Sequence, residues 1–164
     1  MKRRVRFSAW CQLYTLILIV FCFSMTTLWF MNGKTVNAIT LASVFGLLVI
    51  AALCYMPLSV TVTDQALIVR RPMASKIIPI AAITSISLCS PTMGAHRLIG
   101  CDGWCGHWGW FRERDLGRYF AYYGKASDCF FVRLADGSAY MLGCTDPGSV
   151  VDAVRSRMKT SARP

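Results

Sequence analysis

The residues with the richest chemistry crowd into one stretch, Gly94 to Phe111, where His96, Cys101, Cys105 and His107 are interleaved with Trp104, Trp108 and Trp110. Thiolates and imidazoles are the ligand types of tetrahedral zinc. The spacing argues against a metal, because Cys101-x-x-x-Cys105 followed almost at once by His107 is not a paired-knuckle arrangement. No metal and no cofactor are expected. Cys105 and His107 could supply a thiol and a base, but no third group to orient the imidazole is evident in the sequence. The chain also lacks a Gly-x-Ser-x-Gly elbow, a Gly-Lys-Ser/Thr phosphate loop and a His-Glu-x-x-His helix. The expectation is a protein without catalysis. The alternative is a metal- or redox-sensing membrane protein built on residues 94–111.

The tryptophans admit two arrangements. In one they pack over the domain, and the glycines of the segment shape a long hairpin. In the other, Trp104, Trp108 and Trp110 enter the headgroup layer of a membrane, helped by Arg112, Arg114 and Arg118. Tryptophan favours that layer, and each basic residue near an anionic surface contributes on the order of 1 kcal/mol. Glu113 and Asp115 beside Arg112 and Arg114 read as a solvated turn of mixed charge.

Whatever these residues do, they do it beside a bilayer. A basic tip of Lys2, Arg3, Arg4 and Arg6 leads into two apolar stretches, about 10–31 and 36–56, separated by Asn32, Gly33, Lys34 and Thr35. Each is close to the ~20 residues that cross hydrocarbon as a helix. The first stretch continues through Phe21, Phe23, Leu28, Trp29 and Phe30, past the end of a cleaved signal. Basic residues are retained on the cytoplasmic side, so both termini are expected in the cytoplasm, on the inner membrane. Ala38, Ala42 and Gly46 recur every fourth residue and offer a close-packing stripe, for the first span or for a homodimer.

Composition divides the chain near Pro57. The sequence is 55% hydrophobic with a net charge of +10, yet every acidic residue lies beyond the spans, from Asp64 to Asp152. Residues 1–57 therefore form a transmembrane hairpin, 58–159 a domain and 160–164 a disordered tail. The basic excess is spread between the tip and the C-terminal residues, which suits anionic lipid better than nucleic acid. The cysteines of a domain facing a reducing cytoplasm are expected to remain thiols.

Within the domain, Leu58, Val60 and Val62 alternate with Ser59, Thr61 and Thr63, and Ala66 to Arg70 resumes after Asp64-Gln65 as a first hairpin. Ile77–Ile80, Ile83–Leu88 and the aromatic run Tyr119–Tyr123 are further strands. Pro79 confines its strand to an edge or an end. Cys129–Leu134 pairs with Ala139–Leu142 across Asp136-Gly137. Six or seven strands are expected. A closing helix starts at Asp146 and Pro147 and carries an apolar stripe of Val150, Val151, Val154 and Met158.

The succession Thr61-Val62-Thr63-Asp64, Leu67-Ile68-Val69, Ile78-Pro79-Ile80, Ile83, Arg97-x-x-Gly100, Gly109-Trp110-Phe111, Gly117, Tyr119, Asp136-Gly137, Tyr140 and Asp146-Pro147 resembles the bacterial pleckstrin-homology-like (PH-like) domain family. Two preceding spans are also similar to that family's usual architecture. The resemblance implies a mainly β PH-like barrel of two antiparallel sheets closed by a C-terminal α-helix. It also implies a scaffold that binds rather than catalyses, with Arg97, Gly100, Gly109, Gly117, Asp136, Gly137, Asp146 and Pro147 as structural residues. The expected partners are the bilayer and either anionic lipid headgroups or another membrane or cytoplasmic protein.

Overall fold

The computed structural model describes residues 1–92 and 94–161. Its first long elements are α1 (Ala9–Met31) and α2 (Thr35–Tyr55). At 1.5 Å per residue, their 23 and 21 residues extend about 34 and 32 Å, enough to cross hydrocarbon. Most of their surface is uncovered, with Trp10, Phe23, Phe30, Ile39 and Leu47 all exposed. Ser8 starts α1 by accepting a hydrogen bond from the Cys11 backbone at 3.1 Å. Gly33, at φ +71°, makes the tight turn between the helices.

The covered positions of the two helices, Cys11, Leu18 and Cys22 on α1 and Ala38, Phe45 and Ala52 on α2, recur in steps of seven or four. A seven-residue repeat keeps a seam on one side of a helix. The expected stripe does not follow that seam. Ala38 is buried, but Ala42 is exposed and a Cβ on Gly46 would meet nothing within 4 Å. A strict four-residue step drifts about 40° around the helix each time, which carries the small residues off the contact.

The first strand of the domain precedes the helices. β1 (Lys2–Arg4) pairs antiparallel with β2 (Ser59–Val62), and the N-terminal amine donates to the Val62 carbonyl at 2.8 Å. With β3 (Ala66–Arg70) and β4 (Ser75–Pro79) they form a four-stranded sheet ordered β1-β2-β3-β4. Pro79, which has no N–H to give, ends an edge strand.

The second sheet contains β5 (Ile83–Leu88), β6 (His96–Gly103), β7 (Gly106–Glu113), β8 (Gly117–Tyr123), β9 (Cys129–Leu134) and β10 (Ala139–Gly143). Their order is β5-β9-β10-β8-β7-β6. The β9–β10 hairpin folds back between β5 and β8, so β10 runs parallel to β8 while the other neighbours are antiparallel. Two sheets and a terminal helix are present as expected. The sheets are not closed into a barrel, and the strands outnumber the expected six or seven because β1 and the β6–β7 pair join them.

α3 (Pro147–Ser161) covers the space between the sheets with Val150, Val151 and Val154. Its start is held from both ends of the chain. Asp146 accepts from the Ser149 N–H at 3.3 Å, and Arg3 of β1 donates to the same carboxylate at 2.8 Å. The helix reaches Ser161, past the expected start of the tail, and residues 162–164 of that tail lie outside the described residues. Val60, Val62, Leu67, Val69, Ile78, Phe130, Val132 and Leu142 fill the core beneath it. The other face of the larger sheet buries Phe111, Tyr119, Tyr123, Phe131 and Met141. There the buried carboxylate of Glu113 is satisfied by the Tyr119 hydroxyl at 2.8 Å and the Thr92 N–H at 3.2 Å.

Candidate functional site

Glycine shapes the hairpin that carries the tryptophans. Gly100 and Gly109 face each other across β6 and β7 at φ +136° and +125°, and the two backbones approach as closely as only paired glycines allow. The resulting ribbon projects its tip, residues 103–106, against the helices, where Trp104 and Trp108 extend the main core of the domain.

At that tip the backbone groups of Gly103, Cys105 and Gly106 meet helix side chains. The Thr15 hydroxyl accepts from the Cys105 N–H at 3.1 Å, the Cys11 sulfur accepts from the Gly106 N–H at 3.0 Å, and the Cys11 thiol donates to the Gly103 carbonyl at 3.0 Å. Trp104 is 3% exposed. Its indole N–H donates to the Leu48 carbonyl at 3.3 Å, and its ring meets the edge of Phe45 at 5.7 Å. Leu48 stands about 10 Å along α2 from Tyr55, and Thr15 about 9 Å along α1 from its start. The tip is therefore seated between the helices, level with their second and third turns.

A second clasp forms at the end of α2. The Tyr55 ring is stacked on Trp108 at 5.4 Å and on Phe120 at 6.2 Å, and the Arg71 guanidinium lies 5.7 Å from its centre. Arg71 also donates to the Tyr122 hydroxyl at 3.2 Å and to the Ala74 carbonyl through its Nε at 3.1 Å. Beside the tip, two apolar clefts of about 310 and 260 Å³ share Ile19, Met56 and Cys105.

The residues singled out in the sequence are thus split between two places. Trp104 and Trp108 are buried against the chain's own helices, whereas Arg112, Arg114 and Arg118 lie at the opposite end of the β7–β8 ribbon, about 20 Å or more from the tip. Trp110 is half-buried, with the Arg118 guanidinium 4.3 Å from its ring centre. The expected interfacial patch is not assembled as one surface.

Nor do the four candidate ligands converge. His96 stands opposite Arg112 at the far end of β6, and Cys101 and Asp102 point to opposite faces of the strand. His107 hydrogen-bonds the Asp102 carboxylate and stacks on Tyr123 at 4.6 Å. Burial pushes the Cys101 and Cys105 thiols up, away from the reactive thiolate form. The remaining motif residues shape turns and ends. Gly117 and Gly137 take positive φ, Asp136 accepts from the Ser138 N–H at 2.8 Å, Asp146 and Pro147 open α3, and Arg97 sits at a register shift in β6.

The His107 hydrogen bond holds the Asp102 carboxyl below the usual carboxylate range, with the His107 and Arg97 charges adding to it against the opposing effect of burial. A depressed folded-state value adds stability that is fully present above the unfolded value of about 3.9 and is lost as pH falls through the folded one. The tip is expected to open more readily at pH 3 than at pH 6. Amide exchange over residues 101–108, corrected for intrinsic rates, measures this, and Asp102→Asn removes the difference.

Sequence reasoning missed the receiving side of this joint, Cys11, Thr15, Phe45 and Tyr55. On the sequence they are indistinguishable from other span residues. In comparison with known families, the family described as bacterial PH domain matches residues 58–158, well over half of the chain. No curated protein and no solved structure matches it.

Proposed function

Because the chain belongs to the bacterial PH domain family, whose domains are generally non-catalytic binding modules, we propose that it is a membrane-anchored binding or scaffolding module held at the cytoplasmic face of the inner membrane. The carrying observation is the joint. β1 before the helices and β2 after them form one ladder, and the Trp104 tip is seated between α1 and α2. A domain fastened in this way cannot swing away from its anchor, so it presents fixed surfaces at a fixed height. Such a placement suits recognition of lipid headgroups, neighbouring membrane proteins or recruited cytoplasmic proteins.

The test has two arms. The chain is expected to stay with membranes through alkaline carbonate extraction, and protease is expected to cut the domain in inside-out vesicles but not in right-side-out ones. Photo-crosslinkers at exposed Ile99, Leu88 and Ile77 are then expected to give a discrete adduct in native membranes from at least one face. Release by carbonate overturns the anchor, cleavage only from the outside overturns the orientation, and the absence of any adduct from all three faces overturns the binding role.

A further inference from the structure

Where the four-stranded sheet meets the end of α2, an open cleft of about 450 Å³ is lined by Lys2, Arg4, Ser59, Arg70 and Arg71, together with Leu58 and Pro72. Register explains the gathering. Arg4 stands opposite Ser59 and Ser59 opposite Arg70, so the three form a row across β1, β2 and β3 on one face. Lys2, two residues from Arg4, shares that face. The joint therefore places basic residues from the extreme N-terminus and from beyond both helices around one hollow.

The cleft has the chemistry of an anion site. Among the described residues, no carboxylate pairs with Lys2, Arg4 or Arg70, since the ion pairs involve Asp146, Asp102 and Asp64. Ser59 is 4% exposed, and its hydroxyl makes no hydrogen bond among the described residues. Arg71 is already oriented by Tyr122 and Ala74. Several guanidinium groups around the Ser59 hydroxyl, with no acid among the lining residues, match the oxygens of a phosphate group.

Position selects the source of that phosphate. Leu58 follows Tyr55, the last residue of α2, across Met56 and Pro57 alone, and the Met73 N–H donates to the Leu53 carbonyl in the final turn of α2 at 3.2 Å. Leu58 and Met73 remain 41% and 70% exposed. An anion in the cleft thus sits at the helix end beside uncovered apolar side chains. We propose that the cleft binds the phosphate of an anionic phospholipid headgroup, an inference that rests on α1 and α2 being membrane spans.

Native mass spectrometry of the full chain in detergent tests this. One phosphatidylglycerol is expected to be retained in preference to phosphatidylcholine, and the double variant Arg4→Gln/Arg70→Gln is expected to weaken that retention by about tenfold or more, the scale of lost charge-assisted hydrogen bonds. Arg70→Lys, which keeps the charge but loses the planar fork, is expected to fall between. Arg157→Gln on α3 leaves retention unchanged, and thermal unfolding of each variant reports its integrity. Equal retention of the two lipids, or an undiminished preference in a folded double variant, overturns the proposal. Displacement of phosphatidylglycerol by an equal concentration of glycerol 3-phosphate overturns the lipid as the source. Carbonate extraction is independent of these outcomes, so failure of the cleft and failure of the anchor are distinguishable.

Discussion

Gly109→Ala is expected to unfold the β6–β7 ribbon and lower stability by more than about 4 kcal/mol, the range reserved for severe backbone and packing defects. A Cβ at this position would lie 2.3 Å from the Ile99 carbonyl oxygen and 2.6 Å from the Gly100 Cα, both backbone atoms with no rotamer to yield. The φ of +125° adds strain of its own. Gly137→Ala provides the graded control, because its φ is +83° but a Cβ there meets nothing within 4 Å. Only the left-handed penalty of about 1–2 kcal/mol is expected for it. Denaturant unfolding of the two variants side by side measures the contrast. Similar losses for both would show that the close approach of Gly100 and Gly109 carries no special weight.

Trp104→Ala is the second large effect, and it acts on the joint rather than on the ribbon. It removes a buried indole, its contact with Phe45 and its hydrogen bond to Leu48, and truncations of this kind cost about 3–5 kcal/mol. Trp104→Phe keeps most of the apolar burial and loses the N–H donor, for which about 1 kcal/mol is expected. The distinguishing measurement is amide exchange. In Trp104→Ala the N–H groups of Cys105 and Gly106, normally held by Thr15 and Cys11, are expected to exchange freely while the β9–β10 hairpin stays protected. Uniform loss of protection over the whole domain would show that Trp104 supports the entire core and not the joint in particular.

Much of the domain was legible in the sequence because its signals are local. Ala66 to Arg70, Ile83 to Leu88 and Cys129 to Leu134 emerged as strands with the bounds expected of them, from β-branched runs and the Asp136-Gly137 turn. α3 was legible from its cap and its apolar stripe. Pairing over long range was not. β1 is three basic residues without alternation, and nothing local says that its partner lies beyond two helices. The packing partner of Trp104 was hidden for a related reason, since a span residue that receives a hairpin tip has the same apolar character as one that faces lipid. The basic cleft depends on both hidden facts, because its residues converge only once β1 is paired.

The β1–β2 ladder also ties the folding of this protein to its insertion. A strand made first waits through the synthesis of two helices for its partner, and it can zip onto β2 only if the hairpin has brought both chain ends to the same side. A molecule inserted with its N-terminus on the wrong side would leave β2 as an open edge, Arg3 parted from Asp146 and the α3 start unclamped. A complete four-stranded sheet and the placement of both outer helix ends on one side are therefore a single geometric condition.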